Sequence, residues 1–370
     1  MIYFEFYGMK CSFDPVTKRL ITPIGNLFFK PSTRNYERRI YIIFSKKCNL
    51  KCTYCFQKND VKNDCAFSES DIYNILKNEV DKFDEIVLFG GEPFISENIN
   101  FIKKLLNELP KSNFIVFTNG NYDYNYNILL SQHSDQFNCV VFTIDGIEEI
   151  HNRKRINKQG NSFKNAIENL VNINKLGIHS SLQINVDKNN INNVDDFMDY
   201  LLNSNIIIDH IELNPVKYVN NALTQRELLT AYFSLKKKYK FLNISLNNRT
   251  INNLVYLLTG NDLFINRCGL NTSVVCDFST KQIYACPQNE SSIIGSITND
   301  KLVYSHSKIF REISCIEYSN SNCKNCELNY LCSYGCPYEI LNYDNCKEEL
   351  LNNLNIILNN INDIIRLNIQ

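Results

Sequence analysis

Between residues 38 and 230 the chain alternates short apolar runs with segments of helical spacing, and that rhythm leaves few folds open to it. The runs are residues 40–44, 85–89, 114–118, 140–144, 182–186 and 210–214. Each is β-branched or aromatic and mostly continuous in apolar character, as strands covered on both faces are. Between them Ser68 caps a helix with Ile72, Ile75, Leu76 and Val80 on one side. Residues 98–109 and 194–202 repeat the spacing. Residues 162–176 place Ala166, Ile167, Leu170, Val171 and Ile173 inward, and Gly177 closes that helix. The pattern predicts an α/β fold with a parallel sheet. Six units fall short of the eight in a closed barrel, so a partial (β/α)6 barrel is expected. In such sheets chemistry belongs at the carboxyl ends of the strands.

A chain of 370 residues suggests roughly two domains. From Cys268 to Cys346 long apolar runs give way to turn residues and cysteines, which reads as a small domain organised by metal. The expected division is a hairpin extension over 1–37 (strands 2–7 and 27–29), the partial barrel over 38–230, a helical bridge over 231–265, the cysteine-rich domain over 266–346 and a C-terminal helix over 347–370. That helix carries Leu350, Leu351, Leu354, Ile357, Leu358, Ile361 and Ile365 on one stripe, read as packing because its other face is Asn-rich rather than basic. With 39 acidic and 39 basic residues nothing points to nucleic acid or a membrane surface. No signal peptide is present, so the fifteen cysteines suit metal ligation better than disulfides and the expected compartment is cytoplasmic.

The most informative stretch is Cys48-Asn-Leu-Lys-Cys52-Thr-Tyr54-Cys55-Phe56, directly after the first apolar run. A cubane iron–sulfur cluster takes four thiolates, so three on one loop leave an iron open to a reactive ligand. A zinc knuckle is the alternative, needing a fourth ligand. Gly90-Gly91-Glu92-Pro93 follows the second run, Thr118-Asn119-Gly120 the third, and Thr143-Ile-Asp145-Gly146 with His151, Arg153 and Arg155 the fourth. GGEP alone could be a tight turn, and the basic cluster a solvated helix start.

Together these motifs resemble the radical S-adenosylmethionine (SAM) enzymes, in which the open iron binds SAM. The resemblance implies that Cys48, Cys52 and Cys55 hold the catalytic cluster. It implies that Gly90, Gly91 and Glu92 meet the SAM amino group, and that Thr143 and Arg155 contact its ribose and carboxylate. Tyr54 joins them, and Asn185 and Leu213 sit where the family meets ribose and adenine. Downstream, Cys323-x2-Cys326-x5-Cys332-x3-Cys336, with Cys268, Cys286 and Cys346, resembles the SPASM extension and its auxiliary 4Fe–4S clusters. That likeness assigns Cys323, Cys326, Cys332 and Cys346 to one cluster and Cys268, Cys286 and Cys336 to another, with Cys276 as a possible fourth ligand. Lys281 stands where the family usually has Gly. Two zinc sites are the alternative for these thiols.

The resemblance implies three clusters, SAM, an electron donor such as flavodoxin or ferredoxin, and a peptide or protein substrate for a monomeric enzyme. Cross-linking of a ribosomally made peptide is the expected reaction. A sulfatase-maturating activity is the alternative, disfavoured because Pro287 and Gln288 follow Cys286 where those enzymes carry a general-base Asp. A non-catalytic iron–sulfur or zinc scaffold is a third reading. Residues 1–35 are short for a leader-binding domain, which leaves leader recognition to a separate protein or another surface.

Overall fold

The computed structural model describes residues 1–6, 8–17, 19–23, 25–28, 31–32, 38–57, 67–217, 219–258, 263–264, 273–298, 301–305, 326–332 and 343–364. The extension is a four-stranded antiparallel sheet, not a two-stranded hairpin: β1 (Ile2–Phe6), β2 (Met9–Asp14), β3 (Arg19–Thr22) and β4 (Gly25–Phe28). Short turns close it, and Phe4, Phe6, Cys11, Phe13 and Leu20 bury its inner face. A short strand β5 (Pro31–Ser32) pairs in parallel with residues 263–264.

The main sheet contains all six expected strands: β6 (Arg39–Ile43), then β8 (Glu85–Leu88), β9 (Phe114–Thr118), β10 (Phe137–Thr143), β12 (Ser180–Val186) and β13 (His210–Pro215). Two-residue strands β7 (Lys51–Cys52) and β11 (Arg155–Ile156) form a separate ladder above it. Six helices follow the strands: α1 (Glu69–Glu79), α2 (Ile99–Glu108), α3 (Tyr124–Gln132), α4 (Glu148–Lys154), α5 (Ser162–Lys175) and α6 (Val194–Asn203). Ser68 forms the expected cap, accepting from Asp71 N–H while the Asp71 carboxylate accepts from Ser68 N–H, each at 3.2 Å. Gly177 adopts φ +70°, the left-handed closure only Gly takes without strain.

The expected helical bridge is corrected. It contains α7 (Gln225–Lys238), which runs through the expected boundary at 230, then β14 (Ile244–Leu246), then α8 (Arg249–Leu258). β14 extends the sheet in parallel beside β13. The three residues of β14, two of them apolar, were too few to stand out in sequence. After β15 (Leu263–Phe264), β16 (Ser273–Asp277) joins β6 in parallel, so the cysteine-rich region continues the barrel sheet. The hairpins β17 (Gln282–Cys286), β18 (Asn289–Ile297) and β19 (Leu302–Tyr304) then extend it antiparallel. The C-terminal helix begins earlier than expected, at Tyr343, and runs to Asn359, with a further turn at Ile361–Ile364. Leu354, Ile357, Leu358 and Ile361 are buried; Ile365 lies outside the described residues. No described helix is long and apolar enough to cross a membrane.

Strand pleating decides what faces the site. Ile40, Ile42, Ile86, Leu88, Phe114, Val116, Val140, Phe142, Leu182, Ile184, Ile211 and Leu213 share one core with the buried faces of α1–α3 and α5–α7. Alternate residues point the other way. Ile43, Val275 and Tyr284, with Tyr41, Phe89 and Ile293, form a separate cluster on this face, which lines the barrel lumen.

Candidate active site

The cysteine loop leaves the carboxyl end of β6 and is gripped on two sides. On one, β7 pairs with β11, setting Cys52 opposite Arg155, and Thr53 N–H donates to Lys154 O at 2.9 Å. On the other, the turn after β8 lies directly beneath it: Gly91 N–H reaches Ser45 O at 3.4 Å and Glu92 N–H reaches Lys47 O at 2.8 Å. A Cβ on Gly91 would stand 2.1 Å from Lys47 O, and Gly90 has φ +124°. The close approach that requires these glycines is therefore to the cysteine loop itself.

Glu92 is 1% exposed. Its carboxylate accepts from Phe94 N–H at 2.9 Å, Thr118 Oγ1–H at 2.8 Å and Asn119 N–H at 2.6 Å. Three donors use most of its lone pairs and leave room for one more. Burial nevertheless holds its pKa above the ordinary carboxylate value. Asn119 passes the contact onward, its Nδ2–H group lying 2.8 Å from Asn49 Oδ1 and 3.6 Å from Cys48 Sγ.

Tyr54, between two of the thiols, is a hub. Its hydroxyl donates to Asp145 Oδ2 and accepts from Arg155 Nη1–H at 2.6 Å and Asn185 Nδ2–H at 3.0 Å. Asp145 Oδ1 accepts from Asn185 N–H at 3.0 Å. Burial keeps the phenol protonated. Burial alone would discharge Arg155, but Cys52, Tyr54 and Asp145 more than offset it, and the guanidinium stays charged. The His151 ring is kept neutral by burial and by Arg155; its Nδ1 accepts from Asp145 N–H at 3.3 Å. Lys154 pairs with Asp187 at 2.9 Å and lies 5.2 Å from the Tyr54 ring centre. Arg153, beside Lys154 in the sequence, is exposed.

Asp145, Asn119 and Asp187 are the residues that sequence reasoning did not cast in a role. The signal for Asp145 was its place before Gly146 at a strand end. For Asp187 there was none, since its pairing with Lys154 depends on tertiary structure.

Two expected contacts are corrected. Leu213 points away from the lumen into the helix-covered core, fully buried, while Asn214 faces inward and donates to Asn185 Oδ1 at 2.6 Å. The reading in sequence was one residue off in pleat. Cys276 likewise lies in the helix-side core with no exposure. It pairs with Ile283, whereas Cys286 follows the alternate parity on the lumen face, near Tyr41. The sheet thus separates Cys276 from Cys286. Burial pushes the Cys276 thiol well above its usual range.

Thr143 is on the lumen face, and no hydrogen bond engages its hydroxyl among the described residues. Cys326, Cys332 and Cys346 are half-buried; Cys346 is in the first turn of the helix Tyr343–Asn359, and the adjacent Lys347 is within electrostatic reach of Cys326. Cys268, Cys323 and Cys336 lie outside the described residues.

The donor set suits the implied cofactors. Cys52 is within electrostatic reach of both Cys48 and Cys55, and no three ligating groups among the described residues converge on a single-ion site. A cubane distributes its thiolates over separate irons. Arg155 Nε and His151 Nε2 are buried donors with no partner, as an anionic group nearby would require. Arg155 and Lys154 face Asp145, Asp187 and Glu92, a net charge of −1. SAM, with a sulfonium, an ammonium and a carboxylate, is +1.

Residues 42–201 match the model of the radical SAM superfamily. The chain carries a radical SAM domain. The chain is 26% identical over 336 residues to the cysteine-type anaerobic sulfatase-maturating enzyme of Clostridium novyi, covering 79% of this chain and 85% of that protein. In fold it resembles anSMEcpe with bound AdoMet and the Cp18Cys peptide (TM-score 0.65, 20% identity, 89% of this chain and 99% of that one). It also resembles Streptococcus suis SuiB bound to its precursor peptide SuiA (TM-score 0.64, 16% identity, 81% and 72%). Radical SAM enzymes bind SAM and 4Fe–4S clusters, and the cysteine loop at the end of β6 lies within the matched residues.

Proposed function

We propose that this radical SAM enzyme modifies a peptide or protein, most closely as a cross-linking maturase with a SPASM-type auxiliary region. The observation that carries it is the Tyr54 hub, which fixes a three-cysteine loop at the carboxyl end of the sheet. A cluster on Cys48, Cys52 and Cys55 with SAM on its open iron would supply a 5′-deoxyadenosyl radical that takes hydrogen from carbon. This chain's residues do the positioning. Arg155 and Thr143 would hold the SAM carboxylate and ribose, and Glu92 with the Gly90–Gly91 turn its ammonium end. Cys286, on the lumen face, would bring an auxiliary cluster toward the substrate.

The relationship to a sulfatase-maturating enzyme favours a second reading, formylglycine formation. Against it, Pro287 and Gln288 follow Cys286 in place of a carboxylate.

The test is anaerobic reconstitution followed by SAM cleavage with dithionite. Wild type should release methionine and 5′-deoxyadenosine, and the triple variant Cys48→Ala, Cys52→Ala, Cys55→Ala should release neither while losing roughly four irons, one cubane. A sulfatase-motif peptide converted to an aldehyde would select the second reading. Undiminished cleavage by the triple variant would remove both.

A further inference from the structure

One wall of the lumen is polar and the other aromatic. Thr143, Gln183, Glu212 and Ser245 stand side by side in register across β10, β12, β13 and β14 on the lumen face. Glu212 is two residues, about 6.6 Å at 3.3 Å per residue, below Asn214, which joins Asn185 and through it Tyr54. The row therefore lies directly under the proposed SAM site. Opposite it, Tyr41, Phe89 and Phe117 meet edge to face, with ring centres 5.8 and 5.6 Å apart, and Tyr284 continues the wall.

The Glu212 carboxylate is half-buried, and no hydrogen bond or ion pair holds it among the described residues. Its neighbours in the row are neutral, and His210 below it is kept neutral by burial and by Lys236, and shares a 2.7 Å hydrogen bond with Ser245. On the β6 side of the sheet, Arg39 holds Glu85 at 2.5 Å, and Lys46 lies between Asp277 at 3.2 Å and Glu290 at 2.9 Å. Burial also raises the Glu212 pKa, the response of a carboxylate lacking a counter-charge.

We infer that the lumen takes a basic side chain of the substrate peptide and that Glu212 is the specificity-determining residue that binds it. This rests on the peptide-modifying reading above. An ammonium or guanidinium supplies the missing counter-charge through a charge-assisted hydrogen bond, worth roughly tenfold or more in affinity. The aliphatic stem of Lys or Arg lies against the aromatic wall, which also favours a nearby cation. The residue so held sits beneath the radical source, so the carbon attacked belongs to the basic residue or its close neighbours.

The test uses SAM-loaded, reconstituted enzyme and four fluorescent degenerate hexapeptide pools, each fixed at one internal position as Lys, Arg, norleucine or Glu. Fluorescence anisotropy should show the Lys and Arg pools binding about tenfold more tightly than norleucine, with the Glu pool weakest. Glu212→Gln should abolish this ranking while SAM affinity and uncoupled SAM cleavage stay unchanged. Equal binding of the Lys and norleucine pools, or a Lys preference that survives Glu212→Gln, would overturn the inference alone. Failure of the wild type to bind SAM would overturn the reading beneath it, and this inference with it.

Discussion

Lys46 and Asp277 meet at 3.2 Å with neither side chain exposed to solvent. Lys46 lies two residues before Cys48. Asp277 ends β16, where its other oxygen accepts from Ser279 N–H at 2.9 Å and Thr280 N–H at 3.2 Å. Glu290, just beyond the Cys286 turn, also reaches Lys46 at 2.9 Å. One lysine thus ties the cysteine loop after β6 to the hairpin bearing Cys286. Removing one partner of a buried pair strands the other's charge. Lys46→Met should therefore lower stability by about 3–5 kcal/mol, measured by denaturant unfolding at neutral pH. A loss under about 1 kcal/mol would show the pair to be solvated.

Tyr54→Phe keeps the ring and removes the hydroxyl that Asp145, Arg155 and Asn185 share. Three buried polar groups lose a partner, at about 1–3 kcal/mol for an unsatisfied group. The cysteines are untouched, so iron content should match wild type while SAM binding weakens about tenfold, readable by equilibrium dialysis. Unchanged SAM affinity would mean that the hub is remote from the cofactor.

The barrel was legible because its strands are long, apolar and separated by well-capped helices. Ser68 and Gly177 announced their helix ends by residue type alone. β14 escaped because three residues carry no periodicity, and the parallel pairing of β16 with β6 spans more than 200 residues of sequence. The motif residues of the site were visible one at a time. Their pairing was not: nothing local says that Tyr54 reaches Asp145, or that Leu213 and Asn214 fall on opposite faces. Pleat parity decides the latter, and a shift of one residue reverses it.

Lys281 shows a local signal that could be read and then tested. It stands where the related family usually has Gly, and it adopts φ +59° at the turn between β16 and β17. A side chain in the left-handed region costs about 1–2 kcal/mol, against about 0.5–1 kcal/mol of extra chain entropy for Gly. Lys281→Gly should be neutral to about 1 kcal/mol stabilising, and Lys281→Val, β-branched at positive φ, destabilising. Thermal unfolding of both variants checks the sign.

Pleat parity also separates structural from functional neighbours. Leu213→Ala should cost about 2–5 kcal/mol as a core cavity and leave SAM affinity unchanged. Asn214→Ala should weaken SAM binding at little cost in stability. Cys276→Ala should keep the full iron content, because its thiol faces the helix layer and not Cys286. Iron loss in Cys276→Ala, or a reversed pattern in the Leu213 and Asn214 pair, would place the lumen on the other face of the sheet.

Glu92 sets a pH dependence whose sign follows from its burial. Its pKa is raised in the fold, so its contribution to stability is fully present below the unfolded carboxylate value and is lost as pH rises through the folded pKa. SAM reverses the preference, because the ionised carboxylate accepts the stronger, charge-assisted hydrogen bond from an ammonium group. SAM affinity should therefore increase as pH rises from about 5 and level off above the raised pKa. The stability of the SAM-free protein should fall over the same interval. Glu92→Gln removes the titrating group: the affinity slope should vanish, and affinity at pH 8 should be about tenfold or more below wild type, the weight of a charge-assisted hydrogen bond. Isothermal titration calorimetry across the range, with iron content measured in parallel, reads the result. A slope that persists in Glu92→Gln assigns the titration to another group, and an unchanged affinity makes Glu92 a support for the Asn119 turn alone.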